Sequence, residues 1–294
     1  MCARKVRIVE KRKAWVDQFN VPIVKGKILH VSETIEARYA ARLTKLIDRM
    51  TAETRRDVLA SLRANDVPEH AVMDASPANQ VQIVFNALMA KWEQAFGRIA
   101  ADTARDMVDD VSKNNEKKLG ESLRDLSGDI TLDVSAISGD LRDVLDASVK
   151  ENIALIKRVP SKYFEQMQGD VMRSIQNGNG LQDLIPAFEK REVAIRNWAQ
   201  NVALDQTRKA FNGITRGRMI SAGLDEFEWV HGGGSNHPRE YHRDELNGNI
   251  YSLSEPPIID KKTGERGIPG QLPYCRCTMR PVFRLPKGYH EDEE

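Results

Sequence analysis

Beginning at Ser76-Pro77, one apolar stripe continues through Val81, Val84, Leu88, Trp92, Ala95, Ile99, Ala100, Ala104, Met107 and Val111. Steps of three and four residues place these side chains along one face of an α-helix. Ser76 is a natural N-cap, and Pro77 falls at the first helical position, where its missing N–H costs nothing. About thirty residues of helix span roughly 45 Å. A helix of that length outruns a compact domain unless it belongs to an elongated bundle or packs on a partner. The stripe thins to alanine at Ala100 and Ala104, where less apolar surface is offered for packing.

The same period recurs on either side. Tyr39, Leu43, Leu46, Ile47 and Met50 share one face, so a helix is predicted from about Ser32. A turn-rich stretch from Ser127-Gly128 to Ser138-Gly139 follows the long helix. Leu141, Leu145, Val149, Ile153 and Ile156 form the next apolar face, which Pro160 is expected to stop. Ser161 then caps a helix built on Phe164, Met167, Val171 and Ile175, ended by Asn177-Gly178-Asn179-Gly180. A last long helix is predicted from about Val193 through Trp198, Val202 and Phe211 towards Gly223. None of these stripes carries catalytic residue types, so they read as core packing.

Composition narrows the function classes. Among 294 residues, 44 Lys and Arg face 43 Asp and Glu, a net charge of +1, so general attraction to nucleic acid is not the default. No apolar run approaches the roughly 20 residues of a membrane span. The basic N-terminus lacks the apolar core of a secretory signal. Three cysteines make no disulfide framework, which points to a reducing compartment. Charge is nonetheless uneven. Residues 1–31 hold Arg4, Lys5, Arg7, Lys11, Arg12 and Lys13, a basic extended arm suited to phosphate or to an acidic protein surface. Arg208, Lys209, Arg216 and Arg218 add a second basic cluster that could touch phosphates, although near a helix C-terminus favourable interaction with the dipole explains them without a partner.

Residues with chemical capability gather between 227 and 283. Three of the six histidines (His231, His237, His242) and two of the three cysteines (Cys275, Cys277) lie there. Glu226 to Val230 alternates with period two, as a half-buried strand does, and Gly232-Gly233-Gly234 breaks it. Asn236-His237-Pro238 opens a short helix that Asn247-Gly248 closes, and Asn249 to Tyr251 reads as a short strand. A final strand is predicted from Cys275 to Phe283, with Cys275 and Cys277 on one side. His237, His242, Cys275 and Cys277 supply four N/S donors, the number a structural zinc ion takes. The C-x-C spacing is tighter than the usual C-x2–4-C, whereas H-x4-H is ordinary. The same residues also read as two reduced thiols and two histidines bonded to nearby backbone. A disulfide is disfavoured, because side chains two apart on a strand run parallel and their Cα atoms sit near the outer limit of about 6.8 Å. Cys275 with His242 also has the composition of a nucleophile–base pair, but no oxyanion-hole motif accompanies it.

These residues carry a family resemblance. Trp229, Pro238-Arg239, His242, Leu246-Asn247-Gly248, Pro269-Gly270, Pro273-Tyr274-Cys275-Arg276-Cys277 and Pro281 resemble the C-terminal module of Mu-F-like phage head morphogenesis proteins. Asn152 to Ile156 resembles the family's Asn-x-x-Leu-Ile opening. Asp205 to Arg208 with Asn212 resembles the helix before the module, and Tyr39 to Met50 the helix with which these proteins often begin. The resemblance covers about 145–283 well and 33–110 loosely. Tyr274 stands where asparagine or another polar residue often precedes the first cysteine, and Gln206 replaces the usual glutamate. Family versions with C-terminal toxin domains exist; with eleven residues after Phe283, none is expected here.

The resemblance implies a non-enzymatic minor component of the virion, in the capsid interior near the portal vertex. It also implies portal and other capsid proteins as partners, with packaged DNA a further candidate, and order or stability that depends on assembly. The fold expected is α+β and predominantly α, with an elongated helical N-terminal part and a small C-terminal α+β module. Its expected divisions are the arm (1–31), a helical domain (32–140), the helical part of the module (141–223) and an α+β end with one structural zinc ion and an acidic tail (224–294). Two rival functions stand beside this one. They are a nucleic-acid-binding protein using the basic arm, and a zinc-dependent hydrolase or nuclease.

Overall fold

The computed structural model describes residues 15–16, 22–64, 75–127, 134–135, 138–177, 181–234 and 238–284. Along the chain the elements are β1 (Trp15–Val16), β2 (Pro22–Lys25), α1 (Glu33–Ala64), α2 (Ala75–Ser127), α3 (Gly139–Asn177) and α4 (Leu181–Ser221). There follow β3 (Glu226–Val230), a π-helical turn (Tyr241–Leu246), β4 (Ile250–Ser252), β5 (Ile258–Asp260), β6 (Glu265–Arg266) and β7 (Thr278–Arg284). The fold is α+β and predominantly α, as expected. No helix among the described residues is long and apolar enough to cross a membrane.

The chain forms two compact units, each drawn from separated stretches: 1–35, 108–148 and 205–294 in the first, and 36–107 and 149–204 in the second. Neither coincides with a consecutive segment, because α2, α3 and α4 each contribute to both.

The second unit is helical. Its parts of α1 and α2 bury Tyr39, Leu43, Ile47, Val81, Phe85, Leu88, Trp92 and Phe96. From α3, Tyr163, Phe164 and Met167 join them, with Phe85 and Phe164 meeting edge to face at 6.3 Å. Hydrogen bonds fix the register. The buried Tyr39 hydroxyl donates to Asn152 Oδ1 at 2.9 Å, tying α1 to α3. Arg191 of α4 grips Asp170 of α3 with two parallel bonds, 2.6 Å from Nε and 3.0 Å from Nη2.

The first unit holds the main sheet, antiparallel throughout, in the order β1-β2-β7-β3-β4. Phe227, Trp229 and Met279 are buried on one side of the central strands. On the other side Glu228 receives Lys25 and Arg280, each at 3.0 Å, beside the apolar cluster Ile23, Ile250 and Val282. Helical segments pack in the same unit. Asn115 of α2, fully buried, donates to Thr215 Oγ1 and to the Phe211 carbonyl of α4. A Cβ at Gly213 or Gly217 would lie 3.2–3.3 Å from Val144 or Leu141, so these glycines let α4 approach α3 closely.

Four expectations are corrected. Within residues 1–31, β2 is a sheet strand and Ile23, Leu29 and Val31 are buried, so 22–31 is not an arm. Arg4, Lys5, Arg7, Lys11, Arg12 and Lys13 lie outside the described residues. Pro160 sits inside α3 and does not stop it. Its lost hydrogen bond costs about 3 kcal/mol, which the continuous buried stripe of Ile156, Val159, Tyr163, Phe164 and Met167 offsets. Helix α4 begins at Leu181, twelve residues before Val193, through Leu184 and Phe188, both buried despite Pro186. Finally, β7 begins at Thr278, so both cysteines precede the strand.

Candidate metal centre

Three chain segments converge near the start of β7. His242 is presented by the π turn, whose wide winding is a frequent feature of functional sites. Its Nε2 lies 2.9 Å from the Ile259 carbonyl, which can only accept, so the proton sits on Nε2. Nδ1 is thereby left as a lone pair. It faces Cys275 Sγ at 3.5 Å and Cys277 Sγ at 3.7 Å. The donor atoms of His242, Cys275 and Cys277 all lie within 4.8 Å of one another. Exposure of the three residues is 2%, 4% and 3%. The Trp229 ring packs edge-on against the imidazole at 5.1 Å and holds its plane.

The loop 272–277 is shaped to deliver both sulfurs. Tyr274 takes a left-handed conformation, φ 59°, stabilised by donation of its N–H to Asp205. Cys275 N–H closes the turn on the Leu272 carbonyl at 3.0 Å. With residues 275–277 outside any helix or strand, the cysteines still meet the same imidazole, while the Arg276 guanidinium reaches the Gly234 carbonyl. Buried Asn212 of α4 donates to the Cys277 carbonyl at 3.3 Å and holds the loop from below. Gly232 permits the closest approach: a Cβ there would fall 2.0 Å from the Arg276 carbonyl oxygen.

The two thiols titrate as a pair. Cys275 is drawn well below the ordinary thiol value, first by hydrogen bonding from Cys277, then, against the opposing effect of burial, by His242 and the N–H groups of Cys277 and Gly270. Cys277 is correspondingly raised, by its bond to Cys275, by burial and by repulsion from the Cys275 thiolate. Gly232 N–H and the Trp229 indole act in the opposite direction on Cys277. The indole nitrogen of Trp229 is buried and has no hydrogen-bond partner among the described residues.

Of the four predicted ligands, the fold brings together His242, Cys275 and Cys277, and His237 lies outside the described residues. A residue that spacing did not single out takes a place at the rim. His231 Nδ1 is 3.6 Å from Cys277 Sγ, and its backbone N–H donates to Asn247 Oδ1 at 2.8 Å. Period two carries the signal, since His231 follows Trp229 by two positions on the strand face already known to be buried.

The second basic cluster does not form an open surface. Arg218 is 2% exposed, bonded to the Val134 carbonyl, to Ser112 at 3.1 Å and to Glu116 at 3.4 Å. Arg216 donates twice to the Leu253 carbonyl. Arg208 and Lys209 are half-buried and have interactions of their own. The expected phosphate contact by Arg218 is therefore corrected: its guanidinium is an internal tie.

Residues 165–280 match the family described as Phage Mu protein F like protein. That stretch is similar to a Mu-F-like module. The match runs from within α3 through α4 and β3 to β6 into β7, and it contains His231, His242, Cys275 and Cys277. The Asn152 opening lies before it. A protein of Haemophilus influenzae described as uncharacterized is 25% identical over 264 residues, covering 88% of this chain. The chain spans 56% of that relative's length. No solved structure matches the chain.

Proposed function

We propose that this protein is a minor structural component of a phage head, acting inside the capsid near the portal vertex in assembly or genome delivery. The observation that carries this reading is the Mu-F-like match over residues 165–280. Head and portal proteins are then its partners, and the virion is its location. The site supports a structural rather than catalytic role. A nucleophilic cysteine needs a sulfur that a substrate can reach, and Cys275 and its base are both at least 96% buried. DNA contact by the α4 cluster is disfavoured by the internal bonding of Arg216 and Arg218.

Quantifying the chain against the major capsid protein in purified particles and procapsids tests the reading. A constant small number of copies in mature particles is the expected result. Presence in procapsids alone would favour an assembly factor over a delivery role. Absence from both sinks the virion reading. In that event a nuclease assay and a salt titration of DNA binding would test the rivals, the latter falling by about 0.9 log units per phosphate neutralised for each decade of salt.

A further inference from the structure

We propose that Cys275, Cys277, His242 and His231 hold one zinc ion in a closed, structural site. The distances carry the argument. With Zn–S near 2.3 Å and Zn–N of 2.0–2.1 Å, the S···N edge of a tetrahedral site is about 3.6 Å. The three S···N separations in the cluster are 3.5, 3.7 and 3.6 Å. Two sulfurs stand at nearly the same distance from the one Nδ1, the arrangement that three ligands of a single ion take. One cation at the common centre satisfies both.

The surroundings match what a metal asks of its ligands. Ligating histidines donate their other ring N–H to a carbonyl or carboxylate, as His242 does to Ile259. Two thiolates and two imidazoles suit a soft, tetrahedral ion better than a hard one. With His231 as the fourth ligand, the three buried residues would complete a closed set of the structural kind. His231 Nδ1 lies 3.6 Å from Cys277 Sγ but outside the group of donor atoms within 4.8 Å of one another, so its half-buried ring must turn to complete the set. Binding releases thiol protons to solvent and joins the end of β3, the π turn and the loop before β7 through one atom.

The test uses the full chain, purified without added metal. Elemental analysis is expected to give about one zinc per chain, falling below about a tenth in Cys275→Ser and Cys277→Ser. Titration of the metal-free chain with Co2+ is expected to produce a thiolate-to-cobalt charge-transfer band and the intense visible bands of four-coordination. His231→Ala, at the rim, is expected to keep its far-UV dichroism, weaken zinc binding at least about tenfold and alter the visible cobalt bands. Wild-type protein with less than about a tenth of an equivalent and no thiolate band on Co2+ titration overturns the site. A His231→Ala protein with wild-type affinity and spectrum overturns the four-ligand set.

Discussion

Tyr274 is held at φ 59°, a left-handed conformation that costs an L-residue with a Cβ about 1–2 kcal/mol and that asparagine tolerates far better. The cost persists because the turn it makes is what brings Cys275 under His242. Asparagine, the residue that the Mu-F-like resemblance suggests at this position, suits such a conformation. The ring is 57% exposed, so little packing is at stake. Tyr274→Asn is expected to raise stability by about 1 kcal/mol, read as a higher urea midpoint with unchanged slope. An unchanged or lower midpoint would show that the ring contributes more than the strain costs. His231 and Arg218 teach the complementary lesson. Both were visible as residue types, but the role of each depends on what the fold places against it.

Between elements, polar ties set the register that apolar stripes leave loose. The Asp170–Arg191 clamp joins α3 to α4, with Arg173 as a second partner of the carboxylate. The Arg191 hydrogen bonds, opposed by burial and helped by its charge and by Arg173, hold the Asp170 carboxyl below the usual carboxylate range. A lowered folded value means the contribution is fully present above the unfolded value of about 4 and is lost as pH falls through the folded one. Asp170→Asn is therefore expected to cost about 1–2 kcal/mol at pH 7. Denaturation at a series of pH values should show the wild-type advantage shrinking only below about pH 4. A gap independent of pH down to the acid limit would count against the clamp. Helix boundaries belong to this scale too. Pro160 is a stop signal by local rules, yet buried residues on both sides carry α3 through it. Likewise α2 continues past Val111 because Asn115 and Ser122 occupy buried positions that an apolar template skips.

At the scale of the whole molecule, the proposed zinc ligands all belong to the unit made of residues 1–35, 108–148 and 205–294. Among the described residues from Val230 to Thr278 that unit has only short strands and one π turn, so the proposed ion would replace regular structure as a constraint. Ligand binding to the native state alone stabilises by about 4 kcal/mol at a thousand times its Kd. Adding a strong chelator is expected to accelerate amide exchange in residues 226–284. The helical unit made of 36–107 and 149–204 should keep its protection. Equal loss of protection in both units would remove the special dependence of the first unit on the ion.

Legible from residue order alone are the helical character of most of the chain, the strand at 226–230, the turn at Asn247-Gly248, the 227–283 segment as the place of interest and three members of its cluster. Those features are local: a period of 3.6 or 2, a turn residue, or a rare residue type. Long-range contacts bring residues 22–25 into the sheet beside β7, turn Arg218 inward, carry Pro160 within a helix and stand His231 beside Cys277. Each depends on contacts between residues far apart in the chain. Burial and hydrogen bonding across such distances outweigh local preferences by a few kcal/mol, and no short window of sequence records them.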